Sequence, residues 1–378
     1  MVDDPKALKP ETAAIHVPHQ RRDGAMAPPI HMATTFEHGP AYETLHGFDY
    51  SRSSNPNVAD LEARLTALEQ GSFALAYASG MAAGAALLDT LPVGARVVFH
   101  NSLYHGFRAL AGLLESNARI IPVFIDLNDN EALEKELAQK PALVWLESPT
   151  NPTLEIIDIA AIADKAHTEG AKLAVDGTFA TPALQRPLTL GTDYVIHSLT
   201  KYIGGHSDVM GGALIGASDG LKEELSLGRS LSGAVLSPFN AWLASRGLQT
   251  LHCRVAAHCA HAKAVAEELE GHPRLSHVHY PGLVSHPGHS IAAKQMRDFG
   301  GMVSIELAGG RDAAIVMASK VQIFTNATSL GGVESLIEHR ASVEEPHITS
   351  PLGLLRLSIG LENPADLVAD LLQALETG

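Results

Sequence analysis

The sequence predicts an α/β fold, with a mainly parallel sheet flanked by helices and a smaller C-terminal α+β domain. Three observations predict it. First, apolar runs at 96–99, 119–125, 142–146, 172–175 and 194–197 alternate with helical periodicity at 58–68, 80–91, 130–139 and 156–169. Strands separated by helices at this spacing need crossover connections, which make the strands parallel and cover both faces of the sheet. Second, after a long helical stretch at 239–269 the order changes to apolar runs at 302–307, 322–326 and 354–359, then a closing helix at 364–375. Third, 378 residues, 46% hydrophobic and 18% charged, exceed what one hydrophobic core organises.

The elements follow in chain order. Residues 1–53 are rich in Pro, His, Gly and Thr and carry little periodicity, so they read as an extended arm that needs another surface. Residues 54–248 hold the alternating pattern, and residues 249–378 form the C-terminal domain. Neither an internal repeat nor a low-complexity tract is visible.

Ligands bind beyond the carboxyl ends of strands in sheets of this kind. Three polar clusters stand there. Glu147-Ser148-Pro149-Thr150-Asn151 follows one apolar run, Asp176 ends another, and Ser198-Leu199-Thr200-Lys201 follows a third. In HSLTKYIGGHSDVMGG (197–212), Ser198 and Thr200 can donate to an anion, and the glycines let the backbone approach one closely. A lysine partly desolvated beside an anion is suited to imine formation. In YASGMAAGAALL (77–88) a Ser-Gly-Met turn opens a small-residue helix, whose free N–H groups and positive dipole end suit a phosphate. Taken singly, each feature has an ordinary explanation: a loop lysine, a turn aspartate, a capped helix.

Composition removes other classes. A net charge of −15, from 42 acidic and 27 basic residues, opposes non-specific binding to nucleic acid or anionic lipid. The N-terminal stretch lacks a secretory pattern, and no run approaches the roughly 20 apolar residues of a membrane span. The two cysteines, Cys253 and Cys259, form no CxxC pair, which fits a reducing cytoplasm. Twenty histidines raise the question of metal, but His258 and His261 lack a third ligand in register, so no metal site is expected.

FDYSRSSNPNVADLEARLTALEQG, ASGMAAGAALL, WLESPTNPTLEIIDI, VDGTFATP, HSLTKYIGGHSDVMGG, SLGGVESLIEH and LLRLSIGLEN occur in this order across nearly the whole chain. They resemble the motifs of the Cys/Met-metabolism (transsulfuration) family of enzymes dependent on pyridoxal 5′-phosphate (PLP), and are closest to its cystathionine γ-synthases and γ-lyases. The resemblance implies a fold-type-I PLP domain and a homotetramer built from two active dimers. It makes Lys201 the Schiff-base lysine and Asp176 the carboxylate that keeps the pyridine nitrogen protonated. Gly80, Met81, Ser198 and Thr200 match the phosphate cradle. Tyr50 and Arg52 match the pair that reaches the phosphate of the neighbouring subunit, which gives the arm its second surface. Tyr104 matches the tyrosine that stacks on the cofactor ring and serves in proton transfer, and Asn151, Ser329 and Arg356 match the binders of the substrate α-carboxylate.

The implied reaction is γ-elimination on a cystathionine- or homoserine-derived amino acid, releasing a 2-oxo acid and ammonia. The alternative is γ-replacement of the cystathionine γ-synthase or O-acylhomoserine sulfhydrylase type. Leu330 stands where the resembling bacterial β-lyases carry tryptophan, Glu334 keeps the acidic position of γ-synthases and γ-lyases, and Gly106 occupies the usual cysteine position of methionine γ-lyases. These disfavour β-elimination and methionine. Departures from the family pattern fall at His105, Phe107 and Arg108, at Gly177, and in HRASVEEPH (339–347). Glu334, Glu344 and Glu345, if they line the entrance, favour a substrate with a cationic distal group, such as canavanine.

Overall fold

The computed structural model describes residues 8–16, 24–345 and 348–377. Seven strands form the larger sheet: β1 (Phe73–Tyr77), β2 (Ala95–His100), β3 (Ile120–Ile125), β4 (Leu143–Glu147), β5 (Lys172–Asp176), β6 (Tyr194–Ser198) and β7 (Gly212–Gly216). Their spatial order is β1-β7-β6-β5-β4-β2-β3. Strands β2 to β6 pair parallel, whereas β7 runs antiparallel to both β6 and β1. With helices on both faces, the central strands are buried apart from Lys172 at the start of β5 and read as near-continuous apolar runs, as parallel strands do.

The five expected strands of this sheet are present, and β1 and β7 join them. FALAY is short and alanine-rich, and GALIG is bounded by glycines, so neither reads as a strand. Packing explains those glycines. A Cβ on Gly212 would lie 2.1 Å from the carbonyl oxygen of Ser79, and one on Gly216 would lie 2.3 Å from the Phe73 ring. Only bare backbone can pass between β1 and β6 there.

The second sheet comprises β8 (Leu275–His279), β9 (Met302–Leu307), β10 (Thr325–Asn326), β11 (Leu336–His339) and β12 (Leu354–Ser358), in the order β10-β11-β12-β9-β8. It is antiparallel except for β10–β11. The strand expected at 322–326 shrinks to two residues. The Asp370 carboxylate takes the N–H groups of Gln322, Ile323 and Phe324 at 2.7, 2.8 and 3.2 Å, withdrawing them from a ladder.

Two further expectations change. The helix expected at 239–269 is two, Pro238–Leu248 and Leu251–Leu269. At the break Gly247 packs so closely on the turn after β6 that a Cβ would lie 2.4 Å from two carbonyl oxygens. Arg254 spans the same place, donating to the carbonyls of Tyr202 and Gly247, both at 2.7 Å. The boundary expected at 248/249 falls here, yet the second helix serves both cores. Leu251, Val255 and Cys259 pack in the first, and Ala262, Val265, Ala266 and Leu269 in the second. Nor is the N-terminal arm wholly extended: Pro10–His16 is helical, with Ala13 and Ala14 buried in the same chain's core. From about residue 24 the arm lies open, and Met26, Ile30, Met32, Tyr42, Leu45 and Tyr50 expose large apolar side chains.

Candidate active site

Where β4, β5 and β6 end, a cavity of about 210 Å³ opens toward the second sheet. Its floor comes from the strand ends and the turns after them. Ser79 caps the helix Gly80–Asp89, its Oγ accepting the N–H of Ala82 at 3.1 Å. The N–H groups of Gly80 and Met81, in the first helical turn, have no intrahelical partner. Gly80 abuts the next turn so closely that a Cβ would lie 3.1 Å from the Cβ of Ser198. Ser198 and Thr200 complete this corner, and Thr200 Oγ1 is held between the N–H and carbonyl of Gly211.

Lys201 follows in a single wide turn, Leu199–Ile203, closed by the Gly204 N–H on the Leu199 carbonyl, but departs from helical conformation with φ −93° and ψ −136°. Its Nζ donates to Ser329 Oγ at 2.8 Å. Burial, with Arg356 adding to it, pulls the Lys201 amine down to about 8. Ser329 has φ +123°, a strained conformation for a residue with a side chain, and this aims its hydroxyl at the lysine. On the other side of the floor Asp176 is buried and takes the N–H of Thr178 at 3.0 Å. Burial raises its carboxyl, and among the described residues no cation lies within ion-pair distance of it.

The wall comes from the second sheet. Arg356 on β12 stands opposite Glu338 on β11 in the antiparallel register. Its Nη1 donates to Asn151 Oδ1 at 3.0 Å, and its Nη2 to the Ser329 carbonyl at 3.0 Å and to Glu338 at 2.7 Å. Arg340 shares Glu338 at 2.7 Å, reaches Glu344 at 3.3 Å and lies 3.5 Å from His105 Nδ1. Burial works to raise Glu338, but Arg356 and Arg340 outweigh it and hold the carboxyl below its ordinary range. Glu344 is likewise depressed, since hydrogen bonds from Ser350 and Thr349 outweigh its burial. Tyr104 lines the cavity beside His105, its hydroxyl raised by burial.

Of the expected site residues, Lys201, Tyr104, Asp176, Gly80, Met81, Ser198, Thr200, Asn151, Ser329 and Arg356 meet in this one cavity. Tyr50, Arg52 and Glu334 do not. Tyr50 and Arg52 are exposed on the arm, the guanidinium lying 5.4 Å from the Tyr50 ring and donating to the Ser230 carbonyl. Glu334 turns away to Ser207, and Glu345 to Arg311. Pro346 and His347, closing the HRASVEEPH segment, lie outside the described residues. Glu334, Glu344 and Glu345 are not among the cavity's lining residues, and Glu344 acts on that lining through its ion pair with Arg340 and its charge near His105. His258 and His261 direct Nδ1 to the carbonyls of Ile359 and Gly360.

Glu147, Thr178, Arg340 and His105 line the cavity without having been singled out as site residues. Glu147 had a readable signal, because it is the first member of the polar cluster that runs to Asn151 at the end of an apolar run. His105 and Arg340 stand out in the sequence only as departures from the family pattern, and Arg340's partner Glu338 becomes visible only through the pairing of β11 with β12.

A family model described as Cys/Met metabolism PLP-dependent enzyme matches residues 11–376. The chain belongs to this family. Among its relatives, cystathionine gamma-synthase of Mycobacterium tuberculosis is 47% identical over 374 residues, covering 97% of this chain and 96% of the relative. Cystathionine gamma-lyase of Bacillus subtilis is 39% identical, covering 98% and 100%. The solved structure of cystathionine gamma synthase from Xanthomonas oryzae pv. oryzae in complex with cystathionine superposes with a TM-score of 0.94 at 40% identity, covering 98% of each chain. This chain is thus a fold-type-I enzyme of the Cys/Met-metabolism family, and its cofactor is PLP.

The residues present fit that cofactor. One corner offers free helix-start N–H groups, two hydroxyls and a glycine whose missing Cβ leaves room. A buried carboxylate without a cation faces the cavity from β5, and a primary amine of lowered basicity stands near both.

Proposed function

We propose that this enzyme catalyses γ-elimination on a cystathionine- or homoserine-derived amino acid, releasing a 2-oxo acid and ammonia. The observation that carries this reading is the Lys201 amine, largely desolvated, between the unpaired Asp176 carboxylate and the Arg356 fork. When bound, PLP supplies an electron sink for negative charge developed on the substrate carbons. In this reading Gly80, Met81, Ser198 and Thr200 hold its phosphate, and Asp176 keeps its ring nitrogen protonated. Tyr104 covers the ring face and serves in proton transfer. Arg356, already oriented by Asn151 and Ser329, takes the substrate α-carboxylate in a bidentate fork. Lys201 would anchor the cofactor, and its amine would carry the proton taken from Cα; a second proton must then be drawn from Cβ before the group on Cγ can leave. Gly106 supports the reading that methionine is disfavoured as the main substrate. A Cβ there would lie 2.6 Å from the Tyr104 ring and 2.9 Å from Met81 Sδ, so a cysteine would displace the tyrosine.

For the substrate's distal end we propose a cationic group, with canavanine the member to test. Once Arg356 is matched by the α-carboxylate, Glu338 and Glu344, which do not line the cavity but hold Arg340 from behind it, leave the wall one negative charge in surplus. The second reading, γ-replacement, is favoured by a different observation. A polar cavity of about 320 Å³ adjoins the site through Asn151 and is lined by Arg108, Ser102, Thr349 and Ser350, giving room for an incoming thiol with its own carboxylate.

The exposed apolar arm with Tyr50 and Arg52 supports an active dimer in which these two residues reach the partner's phosphate, and a homotetramer of two such dimers. The free thiols Cys253 and Cys259 support a cytoplasmic setting. Among the described residues no helix is long and apolar enough to cross a membrane.

Borohydride reduction of the holoenzyme followed by peptide mass measurement should place the cofactor on Lys201. A panel of cystathionine, O-succinylhomoserine, O-acetylhomoserine and canavanine, assayed for ammonia, 2-oxo acid and thioether, then separates the readings. Preference for the succinyl ester overturns the cationic tail, and thioether formation with cysteine outpacing ammonia release overturns elimination as the main reaction.

A further inference from the structure

Glu147 has no part in the reaction described above, yet it sits at the centre of the floor. It ends β4 as Asp176 ends β5, and the two are register partners in the parallel ladder, on strands about 4.8 Å apart. Both side chains line the same cavity, and both are buried, at 3% and 7% exposure. Glu147 Oε2 accepts the main-chain N–H of Tyr104 at 3.1 Å. That N–H opens the helix His105–Ser116, whose N-cap residue, Tyr104, makes no side-chain cap of its own. The floor carboxyl therefore holds the N-cap residue by its own N–H, the bond that the acidic member of a capping box makes, and it fixes the residue whose ring lies over the cavity.

We propose that Glu147 is a positioning residue that works as a neutral carboxylic acid, the protonated member of a buried carboxyl pair with Asp176, and holds Tyr104 in place. Two carboxylates on adjacent strand ends in a water-poor site cannot both stay ionised. The choice between them follows from their partners. Asp176 takes its hydrogen bond from Thr178 and faces the position where a protonated ring nitrogen would lie, so it keeps the negative charge. Glu147 has no ion-pair partner among the described residues. The groups facing it are Asp176 and the Tyr104 N–H on the floor, and Arg340 and Arg356 on the wall. The two guanidiniums pull its acidity the other way, but they are already committed to Glu338. Burial first, and Asp176 second, push the Glu147 carboxyl well above its ordinary range. A neutral acid can accept the Tyr104 N–H through its carbonyl oxygen without putting a second charge beside the cofactor nitrogen.

This deepens the proposed function and rests on Asp176 serving the ring nitrogen. The test compares full-length holoenzymes of wild type, Glu147→Gln and Glu147→Ala, with borohydride trapping on Lys201 as a control in each. Glutamine keeps the acceptor and the neutrality, so Glu147→Gln should retain kcat and KM within about threefold and leave the cofactor's visible circular dichroism unchanged. Glu147→Ala should lower kcat by about tenfold or more and change that dichroism, because Tyr104 is released. Infrared difference spectra should contain the carbonyl stretch of a protonated carboxylic acid in the wild type and lack it in Glu147→Gln. A fall of about 100-fold or more in Glu147→Gln would assign an ionised, charge-bearing role and overturn the proposal. Equal behaviour of the alanine and glutamine variants, or an infrared band that survives in Glu147→Gln, would also overturn it. Failure of trapping on Lys201 in the wild type would instead sink the underlying functional reading.

Discussion

The floor and the wall of the cavity are built on opposite principles. The floor, from the ends of β4, β5 and β6, uses main-chain N–H groups, small hydroxyls and titratable groups that lack a counter-charge, Asp176 and Lys201 among them. The wall, from β11 and β12, is a chain of ion pairs running Arg356–Glu338–Arg340–Glu344, in which every charge already has a neighbour. Such a floor is prepared to receive a charged cofactor. Such a wall is prepared to exchange one partner for another, as the proposed function has Arg356 do for an α-carboxylate. In the proposed reaction, holding the cofactor and choosing the substrate thus fall to different sheets.

Breaking the floor should cost most. Lys201→Ala should lower kcat/KM by at least about 10³-fold while leaving the melting temperature unchanged or raised, since it removes a buried amine; steady-state kinetics and calorimetry check both. Arg356→Lys loses the fork and unbalances Glu338, and should raise KM by about 100-fold, with kcat less affected. The lowered basicity of Lys201 gives a pH signature. Its neutral amine is the reactive form, so apoenzyme should capture PLP about tenfold faster per pH unit below about 8 and level off above it, measured by stopped-flow absorbance. Without desolvation that plateau would move toward 10.5. Arg52→Ala should weaken PLP binding by about tenfold if the arm reaches a partner's phosphate, and have no effect if its only contact is the Ser230 carbonyl. The smallest effect belongs to the wall. Glu344→Gln removes its surplus negative charge and should shift the kcat/KM ratio of canavanine to O-succinylhomoserine by about threefold toward the ester.

The same contrast explains what could be read from the sequence. Lys201, Asp176, Gly80 and Thr200 each follow an apolar run or open a helix, so local pattern places them on the floor, and the ordered motifs identify the family. Arg340 and Glu338 gain meaning only when β11 pairs with β12, a pairing that the short LIEH strand does not announce. The acidic residues Glu334 and Glu345 were legible as charges but not as directions: one turns to Ser207, the other to Arg311. β1 and β7 stayed hidden for a related reason, because glycines that serve close packing look like loop glycines until the neighbouring strand is in place.

The helix Leu251–Leu269, about 28 Å long, is rooted in both cores. A rod with each half embedded in a different body couples them like a shared axle. The two sheets cannot hinge apart about the cavity without stripping apolar side chains from one core or the other. Substrate entry and product escape are therefore left to short segments at the rim, and turnover in this enzyme should respond to loop substitutions near Ser350 and the arm rather than to agents that loosen domain packing.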